Sequence, residues 1–586
     1  MVPQLKSEMN NPPPDPASSQ HASFRWRRVI TFGLACLFLV LWFGALDERE
    51  LFHPDEGRYA EIPREMVASG DWITPRLNGL KYFEKPVLQY WITAVSYLAL
   101  GEQEFVARLW PALSGFLTLV LVYYMGRRVA GVRAGVVAAA ALATTFQFFV
   151  FSQLLTLDMG LSFFLTLALH GFLASQDLRI TERQQRNGAI VMWVAMALAV
   201  LSKGLVGVLL PALVLVAYIA IERDWKLLGR LHWGFGAPVF LTIALPWFIW
   251  VQLRNPEFFQ FFFIREHFGR YALNEHRRHG AWYYFLAMLL IGSLPWSLMY
   301  IKAMFKSWYV RVPTQFAINP IRLLILWVIV ITAFYSVSQS KLPGYILPVY
   351  PALAVLLGCY VQREKTQLSK AILLGIAALG VAMLGAAPLV TRIPKFANDA
   401  DLIEPFVAWA IAGGGILIIA AASAMLTRVR YPRAALSALG FGVLLSLQVL
   451  VSGTESIEDQ FSMEALVDNA LDKIGDFDAD LPFYSLDMYD QTLPHHLQRT
   501  LTVVRFRGEL EMGIAQDPAK AIASVEEFRR LWQSHRQAYA IMPREQLEKE
   551  RLAGTPVNVI ATNRNCAIVT RAELTETEKR PRRADQ

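Results

Sequence analysis

The stretch VITFGLACLFLVLWFGALDERELFHPDEGRYAEIPREM, residues 29–66, joins a long apolar run to a segment crowded with charge. Residues 29–46 contain no charged side chain, and about 20 such residues cross a bilayer as one helix. The motif PDEGRY begins only a few residues later, where charged groups are costly to desolvate. This juxtaposition predicts a membrane protein with a functional loop at one face of the bilayer.

The composition extends this prediction to the whole chain. Its 586 residues are 54% hydrophobic and 18% charged, and the mean hydropathy is +0.34. These values are typical of a polytopic membrane protein and exclude an ordinary soluble domain. Three isolated cysteines, Cys36, Cys359 and Cys566, predict neither a disulfide framework nor a thiolate metal site.

Apolar windows recur along the chain at spanning length, which predicts about thirteen transmembrane helices. The windows are 29–46, 105–126, 134–152, 156–175, 188–202, 204–221, 235–252, 282–304, 321–338, 344–361, 369–390, 405–427 and 434–453. A fourteenth run, 87–100, is short and follows Pro86. It also contains Gln89, Tyr90 and Trp91, so we predict a membrane-surface helix there.

The positions of the basic residues predict the orientation. Thirteen spans with a cytoplasmic N-terminus place seven basic clusters in the cytoplasm, as the positive-inside rule requires. The clusters lie at 25–28, 127–133, 179–186, 223–230, 302–311, 363–370 and 428–433. Counting 87–100 as a span would move six of these seven clusters outside. The chain therefore reads as a membrane protein with a cytoplasmic N-terminus whose other loops face the outer side of the membrane, which is the periplasm in a bacterium.

The same pattern divides the chain into three parts. Residues 1–24 are polar and proline-rich, which predicts a disordered cytoplasmic N-terminus. Residues 25–453 form the membrane domain, with outer loops 47–104 and 253–281 that carry membrane-surface helices. Residues 454–586 alternate strand-like and helix-like runs, which predicts a small periplasmic α/β domain.

Several basic residues of the outer loops run against the positive-inside bias. Lys85, Lys203, Arg270 and Lys341 lie on the predicted periplasmic side, which indicates an anionic ligand in the outer leaflet. Side chains that reach for lipid headgroups are the alternative explanation. Pro86 would start a helix just after Lys85, and the N–H groups of that helix end would favour a phosphate.

Acidic residues lie in the same loops. Asp55, Glu56, Glu84 and Asp158 could act as a general base, bind Mg²⁺ or Mn²⁺, or hold the amino group of a substrate, and the sequence leaves these roles open. No paired-histidine zinc motif, nucleotide-binding loop or Ser-His-Asp signature accompanies them, and we expect no nucleic-acid partner. The absence of an internal repeat gives no support to a transporter.

Four segments carry a family resemblance. FHPDEGRYAEIPREM (52–66), GDWITPRLNGLKYFEKPVLQYW (70–91), FFIREHFGRYALNEHRRHGAWYYF (262–285) and SQSKLPGYILPVYPAL (338–353) resemble the bacterial 4-amino-4-deoxy-L-arabinose lipid A transferases. This family belongs to the GT-C superfamily of polytopic α-helical glycosyltransferases, which also includes the protein O-mannosyltransferases. The resemblance covers residues 25–455 and continues more weakly through the C-terminal domain. The chain departs from the pattern at Val87, where the family leads us to expect a second proline.

The resemblance implies a location, the bacterial inner membrane with the active site and the C-terminal domain on the periplasmic side, and it implies a reaction. The donor would be undecaprenyl phosphate carrying aminoarabinose, and the acceptor a phosphate of lipid A, which would give resistance to cationic antimicrobial peptides such as polymyxin. A related transferase that uses another polyprenyl-phosphate sugar with a protein or glycan acceptor is the alternative, followed by a non-enzymatic lipid transporter. We expect a monomer in the phospholipid bilayer, although the sequence does not fix the oligomeric state.

The resemblance also implies roles for individual residues. Asp55 and Asp158 would be the catalytic carboxylates. Lys85, Arg270 and Tyr345 would bind the donor phosphate. The sugar and the rest of the substrate would contact Tyr59, Tyr82, Glu84, Lys203, Arg58 and Glu56.

Overall fold

The computed structural model describes residues 16–269, 280–310, 315–364, 369–390, 400–460 and 462–571. Helices dominate up to residue 452, and a mixed sheet follows. The helices of the first part are α1 (Pro16–Phe43), α2 (Asp55–Ser69), α3 (Leu88–Leu100), α4 (Glu104–Ala130), α5 (Val132–Ala143), α6 (Phe146–Gln153), α7 (Leu157–Ser175), α8 (Glu182–Lys203), α9 (Val206–Glu222), α10 (Trp233–Arg254), α11 (Tyr284–Gly292), α12 (Ser297–Ser307), α13 (Pro320–Val337), α14 (Val349–Arg363), α15 (Lys370–Val390), α16 (Ala400–Thr427) and α17 (Pro432–Ser452).

Helices occupy all thirteen predicted windows, but not all of them are straight spans. By length and composition, eight described helices could cross a membrane, or ten if each bent pair counts as one span. The bent pairs are α5 with α6, at 63°, and α11 with α12, at 110°. The second bend contains Pro295, which cannot continue a helix. The multi-pass architecture is therefore clear, and the number thirteen stays a prediction.

The N-terminus differs from the prediction of disorder over residues 1–24. Helix α1 begins at Pro16, so residues 16–24 are helical, and residues 1–15 lie outside the described residues. Proline is favoured at the first helical position because its missing N–H needs no partner there. The proline-rich composition therefore indicates a helix start at this point.

Two elements of the first outer loop fit the predicted surface position. Helix α3 has only 13 residues and one buried face that includes Tyr90 and Tyr97. Val95 and Leu98 on its other face are exposed, as expected of a helix that lies along a bilayer. A two-strand hairpin, β1 (Arg76–Leu77) and β2 (Leu80–Lys81), precedes it.

The C-terminal domain contains a six-stranded sheet with strand order β5-β4-β3-β6-β8-β7. The strands β5, β4, β3 and β6 are parallel, whereas β8 is antiparallel to both β6 and β7. The predicted small α/β domain is confirmed. The strands are β3 (Phe483–Leu486), β4 (Thr502–Val504), β5 (Ala521–Ile522), β6 (Tyr539–Pro543), β7 (Asn558–Thr562) and β8 (Cys566–Thr570), and the helices are α18 (Glu464–Ile474), α19 (Leu493–Leu497), α20 (Glu511–Gln516), α21 (Val525–Ser534) and α22 (Arg544–Leu552).

This domain packs closely on the first outer loop. A Cβ at Gly57 of α2 would lie 2.6 Å from the backbone of Gln491 and Thr492, so only glycine permits this approach. The hairpin turn adds a second contact: the amide of Asn78 donates to the carbonyl of Leu501 (2.8 Å) and accepts from its N–H (2.7 Å). The outer loop and the sheet domain are therefore in close contact within the charged motif and again at the hairpin turn.

Candidate active site

A cavity of about 590 Å³ lies where the outer loops meet the C-terminal domain. Its walls come from the start of α2, the segment before α3, the facing ends of α7 and α8, the π-helix Gln260–Gly269, the segment before α14, and the start of α20 with the turn before it. Eight of the eleven residues predicted for the site line it: Asp55, Arg58, Tyr59, Glu84, Lys85, Asp158, Lys203 and Tyr345. The fold thus gathers into one cavity side chains that are up to 290 positions apart.

Asp55 is the first residue of α2, and among the described residues Arg58 holds its carboxylate. The Nη1 of Arg58 donates to Oδ1 of Asp55 over 2.8 Å, while half of the Asp55 side chain (51%) remains exposed. Arg58 itself is nearly buried and forms a second ion pair with Glu509 of the C-terminal domain. Asp55 therefore presents a fixed, accessible negative charge to the cavity.

Glu509 was missed by the sequence analysis. It lies in a short 3₁₀ turn, Gly508–Leu510, and lines the cavity. Nε2 of Gln491 donates to its Oε1 over 2.6 Å. Burial raises the pKa of Glu509, and the charge of Arg58 partly opposes that rise. No motif around residue 509 indicates this role, because only the docking of the C-terminal domain brings the residue to the site.

Another ion pair of the cavity joins α7 and α8. Asp158 lies in the first turn of α7 and Lys203 ends α8, and the two side chains are paired. Nζ of Lys203 also lies 5.0 Å from the ring centroid of Tyr345. A Cβ at Gly344 would lie 2.6 Å from Cγ of Asp158, so glycine is needed for this segment to pass so close.

Lys85 and Glu84 line the cavity from the segment before α3. Nζ of Lys85 donates to the carbonyl of Glu84 over 3.0 Å and lies 4.0 Å from its Oε2. Helix α3 begins at Leu88 with Val87 as its N-cap, so the prediction that Pro86 starts the helix is wrong by two residues. Lys85 still lies close to the N-terminus of the helix.

Glu56 does not line the cavity, which corrects its assignment as a sugar contact. Its side chain is 3% exposed and is held by the buried guanidinium groups of Arg49 and Arg108. The N–H of Leu155 donates to Oε1 over 2.8 Å. Burial alone would raise the pKa of Glu56, but Arg108 and Arg49 outweigh it and hold the pKa well below the usual range. Glu56 is a buried structural anion beneath Asp55.

Two other residues that the sequence pointed to, Tyr82 and Lys341, do not line the cavity. Tyr82 is 2% exposed and lies behind Arg58, and the ring centroid of Tyr82 is 5.9 Å from the guanidinium carbon of Arg58. The buried Tyr82 side chain is therefore not placed to make the sugar contact that the sequence led us to expect. Nζ of Lys341 donates to the carbonyls of Tyr335 (3.2 Å) and Ser336 (2.6 Å) at the end of α13, so it caps a helix. Arg270 lies outside the described residues.

The predicted divalent ion has no ready-made cage in the described cavity wall. Asp55 faces Arg58, Asp158 faces Lys203, and Glu84 lies beside Lys85. Within the described part of the chain, a grouping of three metal donors occurs at Glu104, Glu464 and His496, outside the cavity. Mg²⁺ or Mn²⁺ at the cavity carboxylates stays a prediction.

Comparison with known proteins agrees with this arrangement. The aminoarabinose transferase C-terminal domain matches residues 473–571, and the dolichyl-phosphate-mannose-protein mannosyltransferase family matches residues 29–262. The undecaprenyl phosphate-α-4-amino-4-deoxy-L-arabinose arabinosyl transferase of Edwardsiella ictaluri is 29% identical over 87% of this chain and 92% of its own length. The enzyme of that name from Pseudomonas aeruginosa strain LESB58 is 32% identical over 70% of this chain and 75% of its own.

A solved structure extends the likeness to the whole architecture. The crystal structure of ArnT from Cupriavidus metallidurans bound to undecaprenyl phosphate superposes with a TM-score of 0.86 at 35% identity. The match covers 92% of this chain and 98% of that one. It confirms the predicted GT-C membrane fold with its C-terminal sheet domain. The chain belongs to the undecaprenyl phosphate-4-amino-4-deoxy-L-arabinose arabinosyl transferase family of glycosyltransferases.

Proposed function

We propose that this protein transfers 4-amino-4-deoxy-L-arabinose from undecaprenyl phosphate to a phosphate of lipid A at the periplasmic face of the inner membrane. The observation that carries the proposal is the cavity in which Asp55, Asp158 and Lys85 lie together with their ion partners. A relative that matches the chain along most of its length is named as bound to undecaprenyl phosphate. The distribution of basic loops supports the orientation.

The charges of the cavity suit both ends of the donor. When the sugar leaves, its C1–O bond to undecaprenyl phosphate breaks and the electron pair remains on the phosphate. Lys85 and Tyr345, joined by Arg270, would stabilise that anion, since charged donors in a site of low dielectric lower the energy of developing charge. Glu84, Asp55 and the neighbouring carboxylates would hold the ammonium group of the sugar.

The acceptor determines what Asp55 must do. A phosphate monoester has a second pKa near ~6 and is largely dianionic at neutral pH, so its oxygen can attack C1 without a base. Asp55 would then position the sugar or stabilise positive charge that develops at C1. This role fits a carboxylate that is held by Arg58 on one side and exposed on the other. The added ammonium group would reduce the negative charge of lipid A and weaken binding of cationic peptides.

A transfer assay tests the proposal. Purified protein in lipid nanodiscs is incubated with undecaprenyl phosphate-aminoarabinose and lipid A, and the lipid A is analysed by mass spectrometry. We expect the mass of one aminoarabinose unit to appear with the wild-type protein and not with Asp55→Asn. A parallel reaction with a chelator tests the divalent ion. If the protein consumes the donor while lipid A stays unmodified, the hypothesis that lipid A is the acceptor is refuted.

The match to the mannosyltransferase family over residues 29–262 favours one other candidate, a transferase with a hydroxyl acceptor. Such an acceptor needs a base to remove its proton, so its rate should rise with pH through the pKa of that base. Replacing lipid A by peptide or glycan acceptors in the same assay separates the two. The match of residues 473–571 to the aminoarabinose transferase domain favours the first candidate.

A further inference from the structure

A second cluster of chemically active side chains lies outside the cavity, at the junction between the membrane domain and the sheet domain. Glu104 begins α4, Glu464 begins α18, and His496 lies in α19. One donor atom from each lies within 4.8 Å of the other two. The cluster therefore joins one residue of the membrane domain to two residues of the C-terminal domain, which are more than 350 positions further along the chain.

The histidine provides an independent sign of a ligand. Nε2 of His496 is shielded from solvent and makes no hydrogen bond within the described part of the chain. A buried polar atom that is left unpaired destabilises the fold, so a partner is expected. An imidazole nitrogen is a common metal ligand.

The carboxylates are crowded in a way that a cation would relieve. Glu464 lies near three other carboxylates, those of Glu104, Glu50 and Asp468. Glu104 is held in place by Arg108 (3.3 Å) and by the N–H of Leu51 (3.3 Å). A proton shared between Glu104 and Glu464 is the alternative to a metal ion at this place.

We propose that Glu104, Glu464 and His496 bind one divalent transition-metal ion, of which Zn²⁺ is the best match, and that this ion fastens the C-terminal domain to the start of α4. Two carboxylate oxygens and one imidazole nitrogen are ligands that Zn²⁺ accepts. Bonds of about 2.1 Å in a tetrahedral site place the donors about 3.4 Å apart, so small side-chain adjustments would close the site. Water would supply the fourth ligand.

The local structure fits a site of this kind. The N–H of Met463, next to Glu464, donates to Oγ1 of Thr492 over 3.2 Å, so the starts of α18 and α19 are already tied together. Oγ1 of Thr492 in turn donates to Oδ1 of the buried Asp490 over 2.6 Å. Both C-terminal ligands are therefore held on a preformed frame, and only Glu104 arrives from the other domain.

The test uses the full-length protein, purified with an affinity tag that lacks histidine, stripped with chelator and returned to metal-free buffer. Zn²⁺ binding is measured by calorimetric titration and elemental analysis, and Co²⁺ serves as an absorbing substitute. We expect one saturable site per chain, and Zn²⁺ should raise the thermal unfolding midpoint. Glu464→Gln and His496→Ala should each weaken binding more than tenfold, because even second-layer changes at metal sites cost about 10–100-fold.

Glu464→Gln separates the metal from the shared proton. The amide of the variant can still donate a hydrogen bond to Glu104 but is a poor metal ligand. If the two glutamates share a proton and hold no metal ion, the variant should respond to Zn²⁺ as the wild type does. Glu545→Gln, an exposed glutamate of α22, is the matched control and should bind Zn²⁺ as the wild type does. Equal Zn²⁺ affinity in wild type and both ligand variants, or no saturable binding in the wild type, would overturn the proposal. Should Glu464→Gln not fold, His496→Ala and the Co²⁺ spectrum of the wild type decide.

Discussion

The substitution Glu56→Gln tests how the charged motif is built. Glu56 accepts hydrogen bonds from Arg49 (Nη2 to Oε1, 2.7 Å), from Arg108 (Nε to Oε1, 3.2 Å), and from the N–H groups of Leu155 (2.8 Å) and Phe52 (3.1 Å). The three charged side chains are at most 3% exposed. Glutamine keeps the shape and removes the charge, so two buried guanidinium groups lose their shared counter-ion.

The expected loss follows from this burial. Removing one partner of a buried ion pair costs about 3–5 kcal/mol, because the remaining charge is left uncompensated, whereas an exposed pair is worth about 0–1 kcal/mol. We therefore expect Glu56→Gln to lower the free energy of unfolding by about 3–5 kcal/mol. The pKa of Glu56 lies well below that of a free glutamate. Its contribution is present above pH ~4.3 and is lost only in stronger acid, so the difference should be equal at pH 6 and pH 8.

The assay is unfolding in mixed micelles with increasing denaturing detergent, followed by tryptophan fluorescence and residual transfer activity. Glu102→Gln, an exposed glutamate just before α4, is the control and should change stability by less than about 0.5 kcal/mol. Adding Arg49→Gln to Glu56→Gln should recover part of the loss, because one unpaired cation is removed. A loss below about 1 kcal/mol for Glu56→Gln, or full additivity in the double variant, would refute a buried network.

Three further predictions concern the cavity and its surroundings. Lys85→Ala should reduce kcat by about 10²–10³, or about 2.7–4 kcal/mol, if Lys85 stabilises the leaving phosphate. Lys81→Ala is the control and should leave kcat unchanged, because Lys81 pairs with Glu257 outside the cavity wall. Equal turnover of the wild type and Lys85→Ala would reject the assignment. Asp55→Asn should abolish transfer equally at pH 6 and pH 8 if the carboxylate positions the sugar, and recovery at high pH would instead indicate base catalysis. Burial and the charge of Glu61 raise the pKa of Glu65 to about 8, so the folded protein keeps a proton that the unfolded chain releases, and stability should fall between pH ~4.5 and 8. Glu65→Gln should flatten that slope in thermal unfolding scans, and an unchanged slope would contradict the raised pKa.

The C-terminal domain is part of the site in this structure. Glu509, Gly508, Glu511 and Met512 belong to it and line the cavity, and Glu509 shares Arg58 with Asp55. Oη of Tyr82, behind Arg58, is buried there without a partner in the described residues. The conformation of Asp55 therefore depends on contacts between two domains, and a change at their junction is expected to alter the cavity.

Much of the fold could be predicted from the sequence because the signals are local. A run such as residues 29–46 is apolar over its whole length, so its helix and its lipid environment follow from a short segment. The strand-like and helix-like runs of residues 454–586 likewise predicted the α/β domain. The bends did not follow from composition, since windows 134–152 and 282–304 each look like one continuous span.

By itself, the sequence determined that this is a polytopic membrane protein and that unusual charges cluster in its outer loops. The family resemblance led us to expect Asp55, Lys85 and Asp158 in one site, and all three line the same cavity. Only the tertiary structure decided which charge neutralises which. It buried Glu56 between Arg49 and Arg108 and left its neighbour Asp55 accessible. The physical reason is that an ion pair depends on distance and burial in space, and residues hundreds of positions apart reach that distance only when the chain is folded.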